Sequence, residues 1–186
     1  MFEYPNGMID RDTAVPRRQA RQARPSLFYW GGRERQVSRL GYISAYCPRG
    51  LSLFFGKAGD VSSCVNDWVR RMGGNLMLTD LESTSERRLR RSVHRVDFCL
   101  VDESSIGDVC QVVEQCLFLR RAVPNMPLLL LSSSVKDDDF STERMAICDA
   151  TLRTPLSRAA FSYGLHAAKH NNAHYLRSLA DAAAWA

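Results

Sequence analysis

With 186 residues, 45% of them hydrophobic and 24% charged, the chain is long enough for one globular domain with extensions and has the composition of a water-soluble globule. No apolar run approaches the ~18 residues that span a bilayer, and the acid-bearing start MFEYPNGMIDRD has no contiguous apolar core, which argues against a membrane protein or a secretory signal and for a cytoplasmic protein. The net charge of +5 is unevenly spread: residues 1–45 hold eight arginines against four acids, and Arg87, Arg88, Arg90 and Arg91 form a second cluster. Such patches attract nucleic acid, acidic proteins or anionic lipid, and otherwise are solvated faces. The solvated face is the expectation here. Six cysteines stand at 47, 64, 99, 110, 116 and 148, without a CxxC pair, and His94 is the only histidine before position 166. Zinc-ligand spacing is therefore absent. Cys64, Cys99 and Cys116 fall on apolar positions of their segments, which predicts reduced, structural thiols.

Residues 1–25, with PRRQARQARP, lack the apolar content of a packed element and are expected to form a disordered leader. An extension covers 26–49, where LFYW at 27–30 reads as a strand or an aromatic plug. Pro48-Arg49-Gly50 signals a turn. A hairpin joining 40–46 to 51–55 is a second possibility. From Gly50 strands and helices alternate. LSLFF at 51–55 is a strand. Asp60 can cap a helix whose Val61, Cys64, Val65, Trp68, Val69 and Met72 recur on one face, and Gly73-Gly74 stops it. LMLTD at 76–80 is a strand. Ser83 and Glu86 suit a capping box for a helix to about His94, with Leu89 and Val93 as its apolar stripe.

VDFCLVD, from Val96 to Asp102, and PLLLLSS, from Pro127 to Ser133, are nearly unbroken apolar runs ending in polar residues, as strands buried on both faces are. Between them 108–121 is helical, with Val109, Val112, Val113, Cys116, Leu117 and Arg120 on one side. Asp137-Asp138-Asp139 is expected to open a short helix, since acids favour a helix N-terminus. CDATL at 148–152 is a weak last strand. Ser157 caps a helix with Ala160, Phe161, Gly164, Leu165 and Ala168 inward. The tail 171–186 is helix-prone. Five β/α pairs in a row predict an α/β fold: a flavodoxin-like three-layer sandwich on a five-stranded parallel sheet of order 2-1-3-4-5, occupying 50–170. Chemistry in such sheets lies past the carboxyl ends of the strands, which places Asp102 and Ser132 side by side.

From about Leu51 to His170 the chain resembles the receiver domain of response regulators, the CheY-like fold of two-component signalling. Asp97-Phe98-Cys99-Leu100-Val101-Asp102 fits the pattern of aspartate, four mostly apolar residues and aspartate that ends a receiver's third strand. Asp102 then takes the phosphoacceptor place. Pro127 leads to Ser132 at the place of the switch hydroxyl. Thr154-Pro155 stands where receivers carry a lysine–proline pair with a cis bond, so the lysine is missing. The two acids that hold magnesium fall on Gly56 and Lys57, and the mobile aromatic of the fifth strand falls on Thr151.

These departures imply a degenerate pocket built from Asp102, Lys57, Gly56, Ser132, Thr154 and Pro155. Phosphoryl transfer to a carboxylate needs a divalent cation, and magnesium wants several oxygen ligands. Asp60 and Glu103 are the nearest substitute acids, but not at the expected places. Lys57 either pairs with Asp102 or points to solvent. No metal, cofactor or enzymatic role is expected. Gly50 to Gly56-Lys57 lacks Walker spacing, and no GxSxG elbow accompanies Ser132. The resemblance therefore implies a pseudo-receiver, a phosphorylation-independent protein-interaction module of signal transduction or transcriptional regulation. A receiver phosphorylated on Asp102 is the alternative, and a nucleic-acid-binding regulator using the arginine-rich segments is the third reading. The partner would be a kinase, another regulator, a transcription factor or a second copy in a homodimer. A receiver's contact face would fall on 138–170, with Glu143, Arg144, Met145, Arg158 and Tyr163 as its charged and apolar groups.

Overall fold

The computed structural model describes residues 46–80 and 84–185. The expected leader 1–25 and nearly all of the extension lie outside the described residues. The elements are β1 (Leu51–Phe55), α1 (Asp60–Arg71), β2 (Asn75–Thr79), α2 (Glu86–Ser92) with a 3-10 turn (Val93–Arg95), β3 (Val96–Asp102), the short α3 (Glu103–Ile106), α4 (Val109–Ala122), β4 (Leu128–Ser132), β5 (Ala150–Arg153) and α5 (Arg158–Ala184). The strands form one sheet of order β2-β1-β3-β4-β5, and every neighbouring pair is parallel. The expected flavodoxin-like order is therefore the observed one. Both edges of β1 are taken by β2 and β3, and residues 40–45 of the alternative hairpin lie outside the described residues.

Strand alternation divides the interior into two layers, one on each side of the sheet. Phe54, Phe98, Leu100, Leu129, Leu131 and Leu152 face one side, where Val65 and Val69 of α1 and Phe161 and Leu165 of α5 cover them. Leu53, Phe55, Cys99, Val101 and Leu128 face the other, under Leu89 of α2 and Val112, Cys116 and Leu119 of α4. All seven residues of β3 are buried. This double covering is why β3 and β4 read as continuous apolar runs.

Several boundaries and faces depart from the sequence pattern. Gly59, not Asp60, is the N-cap of α1. The Ser62 hydroxyl donates to the Gly59 carbonyl at 2.9 Å and accepts from the Gly59 N–H at 2.9 Å. That cap buries Ser62 and turns Cys64 out to solvent. Gly73 ends the helix at a φ of +82°, a conformation glycine adopts without steric cost. Ser85 caps α2, accepting from Arg88 N–H, and Ser83 lies outside the described residues. On α4 Val109 is 64% exposed, and the inner face is Val112, Cys116, Leu119, Arg120 and Ala122. Burial pushes the Cys47 thiol up to about 11 and the Cys116 thiol up to about 12, so both are protonated and unreactive near neutral pH.

The helix expected at Asp137 is absent. Residues 133–149 instead run as a strap beside β5. Asp139 and Thr151 exchange two backbone hydrogen bonds at 2.8 Å in an isolated antiparallel bridge. The acids that suggested a helix start serve backbone amides: Asp138 Oδ1 accepts from Arg153 N–H at 2.7 Å, and Asp139 Oδ1 from Ser141 N–H at 2.9 Å. The bonds from Ser141 hold the Asp139 carboxyl below its ordinary value. The outer edge of β5 is thus covered at Thr151 by the chain itself.

The tail continues α5 without a break to Ala184. Its buried amides tie the strap down. Asn171 Nδ2 donates to the carbonyls of Asp149 at 2.8 Å, Phe140 at 3.0 Å and Ser141 at 3.3 Å, and Asn172 Nδ2 to Pro124 at 2.9 Å. Beside them lies an ion pair sealed from solvent, Arg120 Nη2 to Asp149 Oδ1 at 2.9 Å. The other Asp149 oxygen accepts from Leu128 N–H at 2.7 Å, and the ring of Tyr175 lies 4.6 Å from the guanidinium carbon. Removing one member of such a pair strands a buried charge. Arg120→Met is expected to cost about 3–5 kcal/mol of stability, and adding Asp149→Asn should restore much of it; urea denaturation of the single and double variants measures both.

Candidate functional site

Asp102 ends β3 opposite Leu131, and Ser132 ends β4 opposite Arg153. The two side chains therefore share the carboxyl rim of the sheet, as the apolar runs predict. Asp97, the other aspartate of the motif, serves the opposite end of β3. It accepts from the amides of Arg49 at 3.0 Å and Gly50 at 2.9 Å and fixes the turn into β1.

Asp102 is only 7% exposed, and its charge is answered locally. Its Oδ1 accepts from Ser104 N–H at 3.2 Å and from the Ser104 hydroxyl at 2.8 Å. Its Oδ2 accepts from the Ser105 hydroxyl at 2.6 Å. Asp102 is thus the N-cap of α3, and the two serines that follow it supply the donors. Ser105 Oγ in turn accepts from Lys57 N–H at 2.9 Å, which ties the end of β1 to the same cluster.

The remaining pocket residues surround this cluster. A Cβ on Gly56 would lie 2.7 Å from Phe54 Cε1, 2.9 Å from Asp102 Cβ and 3.1 Å from Ser105 Oγ. The Phe54 ring is fully buried and has nowhere to go. The place of the first metal acid is therefore closed to any side chain. Lys57 is exposed, and among the described residues it makes no ion pair with Asp102. Of its two readings, the solvent-facing one holds. Ser132 Oγ is turned to Ser134 N–H at 3.1 Å, and the Ser132 carbonyl accepts from Thr154 N–H at 2.9 Å. The Thr154-Pro155 bond is cis, as the resemblance implies. Glu103 Oε1 accepts from the Ser134 hydroxyl at 3.0 Å. Asp60 is exposed at the start of α1. Thr151, at the place of the mobile aromatic, is buried and bridged to Asp139, with its Oγ1 3.5 Å from Cys148 Sγ.

These residues do not fit a magnesium ion. Such an ion takes carboxylate oxygens and waters in an octahedron. Here one carboxylate has both oxygens committed to hydroxyl donors, the second acid is a glycine without room, and the third is a solvated lysine. Among the described residues no three His, Cys, Asp or Glu side chains stand together as metal ligands.

Ser104 and Ser105 were not singled out by the sequence pattern. Their signal is local: serines two and three positions after an aspartate can cap back onto it. Of the candidate contact face, Glu143, Arg144 and Arg158 are exposed and Met145 is half-buried. Arg144 Nε lies 3.3 Å from Asp139 Oδ2. Tyr163 is 57% exposed and rests edge-on against Phe140, centroids 4.8 Å apart.

No family model and no curated protein sequence matches the chain. Solved structures of similar path exist. A response regulator receiver domain protein from Clostridium thermocellum is 12% identical with a TM-score of 0.49, over 65% of this chain and 94% of that one. The signal receiver domain of a modulated diguanylate cyclase from Desulfovibrio desulfuricans is 18% identical with a TM-score of 0.46, over 66% and 94%. A Burkholderia pseudomallei protein described as pilus assembly-related is 16% identical with a TM-score of 0.48, over 68% and 93%. At these identities, and with TM-scores below 0.5, none of these likenesses says what this chain is or does. Among the described residues no helix is long and apolar enough to cross a membrane.

The crowding at Gly56 can be measured. Gly56→Asp, which puts a carboxylate where the resemblance to receivers expects one, should lower stability by about 1–3 kcal/mol through overpacking. It should gain no magnesium affinity by isothermal titration.

Proposed function

We propose that this protein is a phosphorylation-independent pseudo-receiver, a protein-interaction module of signal transduction or transcriptional regulation. The observation that carries the reading is the occupation of both Asp102 oxygens by Ser104 and Ser105. A phosphoacceptor carboxylate needs a free oxygen to attack and a cation to neutralise the incoming phosphoryl group. Here the oxygen is engaged and the cation's ligands are absent. The elements that would move in a switch are also pinned, with Thr151 bridged to the strap and the strap bonded to Asn171. The module therefore presents one fixed surface.

That surface is the strap and the start of α5, within 138–170. Tyr163 is a large aromatic seated on Phe140, with Arg144, Glu143 and Arg158 as charges around it. An aromatic anchor with a charged surround is the usual anatomy of a specific protein interface. The partner is a signalling protein or a second copy of the chain. Arg144→Glu with Arg158→Glu should weaken association, read by light scattering for the homodimer and by pull-down for the heteropartner.

The reading itself is tested with acetyl phosphate or beryllofluoride in the presence of magnesium, followed by amide NMR and intact mass. No saturable change is expected. A saturable change that disappears in Asp102→Asn overturns the proposal and restores phosphorylation at Asp102.

A further inference from the structure

The second basic cluster lies on α2 and its 3-10 extension, away from the Asp102 rim and the strap. Leu89 is buried and Val93 is half-buried against the same core layer, which anchors the element and leaves its basic side chains outside. Arg87, Arg88, Arg90, Arg91, His94 and Arg95 are all exposed. A sixth arginine joins them: Arg49 Nη1 donates to the carbonyls of Val96 at 2.8 Å and Val93 at 3.3 Å, which fixes its guanidinium at the end of the 3-10 turn. Ser85, Glu86, Arg87, Arg90 and Arg91 line an open groove of about 560 Å³.

Countercharge is scarce. Glu86 is spent on Arg90, at 2.6 Å from its Nη2. Asp97 is buried and turned onto the amides of Arg49 and Gly50. Among the described residues Arg87, Arg88, Arg91 and Arg95 make no ion pair. Arg87 and Arg91 stand four residues apart on α2, so they are neighbours on one side of it, and Arg95 follows in the 3-10 turn. Holding like charges together in this way costs free energy unless an anion offsets it.

We infer that this face binds the phosphate backbone of a nucleic acid. Its composition separates that partner from an acidic protein. Protein interfaces are built on an apolar core inside a polar rim. Nucleic-acid interfaces are polar and strongly positive throughout. No exposed large apolar residue falls between Thr84 and Arg95; those of the described residues lie at Met77, Leu78, Val109, Tyr163, Leu179 and Trp185. The cations are arginines, whose planar forks match phosphate oxygens. Nothing on the face reads base edges, so recognition is of the backbone and indifferent to sequence. The inference concerns a surface other than the proposed protein-contact face, and it stands whether or not Asp102 is phosphorylated.

The test uses the full chain and a fluorescent duplex of about 20 base pairs, with affinity measured across a salt series. Counterion release gives a log–log slope of about −0.9 per phosphate neutralised, so four unpaired arginines predict a slope of about −3 to −4. Arg87→Glu with Arg91→Glu should weaken binding at least tenfold, and the neutral pair Arg87→Gln with Arg91→Gln should reduce the slope by about two. Circular dichroism confirms that the variants remain folded. Because the leader is also arginine-rich, Arg17→Glu with Arg18→Glu is the control. If that control abolishes binding while the Arg87 and Arg91 variants bind like the parent, the inference is overturned. It is equally overturned if the duplex does not bind, or if poly-glutamate binds this face in its place.

Discussion

A carboxylate at the end of a strand buried on both faces has to be answered by a donor or a cation, because charge away from water is costly unless it is compensated. Asp102 is that carboxylate. This chain supplies the hydroxyls of Ser104 and Ser105, and the neighbouring position is a glycine on which any Cβ would collide with Asp102 Cβ and the Phe54 ring. Much of the rim follows from that arrangement. Ser105 holds Lys57 N–H, so the end of β1 is fixed to the end of β3. Glu103 reaches Ser134, so the end of β3 is fixed to the start of the strap.

The other end of the sheet is held by a different set of buried polar groups. Asp97 secures the turn into β1, and the Arg120–Asp149 pair joins α4 to the start of β5. Asn171 and Asn172 join α5 to the strap and to the turn after α4. Burial alone pushes the Asp149 carboxyl upward, while the guanidinium and the Leu128 amide pull it back. Such pairs contribute little net stability against an apolar replacement, but they penalise any arrangement that separates them. A strap without helical structure of its own is kept in one place by these contacts. The strap and α5 are thus held together by buried polar contacts.

The sheet was legible in the sequence because β3 and β4 are covered on both faces and so read as unbroken apolar runs. The helices around Val65, Leu89 and Phe161 were legible from their 3.6-residue period. The failures have local causes. Ser62 is inside and Cys64 outside because a cap outweighed hydrophobicity in setting the phase of α1. Asp137 to Asp139 carry the charge pattern of a helix start, yet two of those acids bind amides of Arg153 and Ser141. Of the site, Asp102 and Ser132 followed from strand ends, and the cis Thr154-Pro155 bond from the resemblance to receivers. The direction of Lys57 had no sequence signal, since only the closed contact of Ser105 with Asp102 decides that no ammonium is needed there. Arg120 was placed inward correctly, but its partner Asp149 lies 29 residues away on a separate element.

If the hydroxyls of Ser104 and Ser105, rather than a cation, stabilise the Asp102 carboxylate, the side chains of Asp102 and Ser105 are energetically coupled. A double-mutant cycle between Asp102→Asn and Ser105→Ala, with stability read by urea denaturation in magnesium-free buffer, tests it most directly. A hydrogen bond to a charged, nearly buried group predicts a coupling of about 1.5–3 kcal/mol, unchanged when magnesium is added. Additive effects, or a stability that rises with magnesium only while Asp102 is present, would contradict the account.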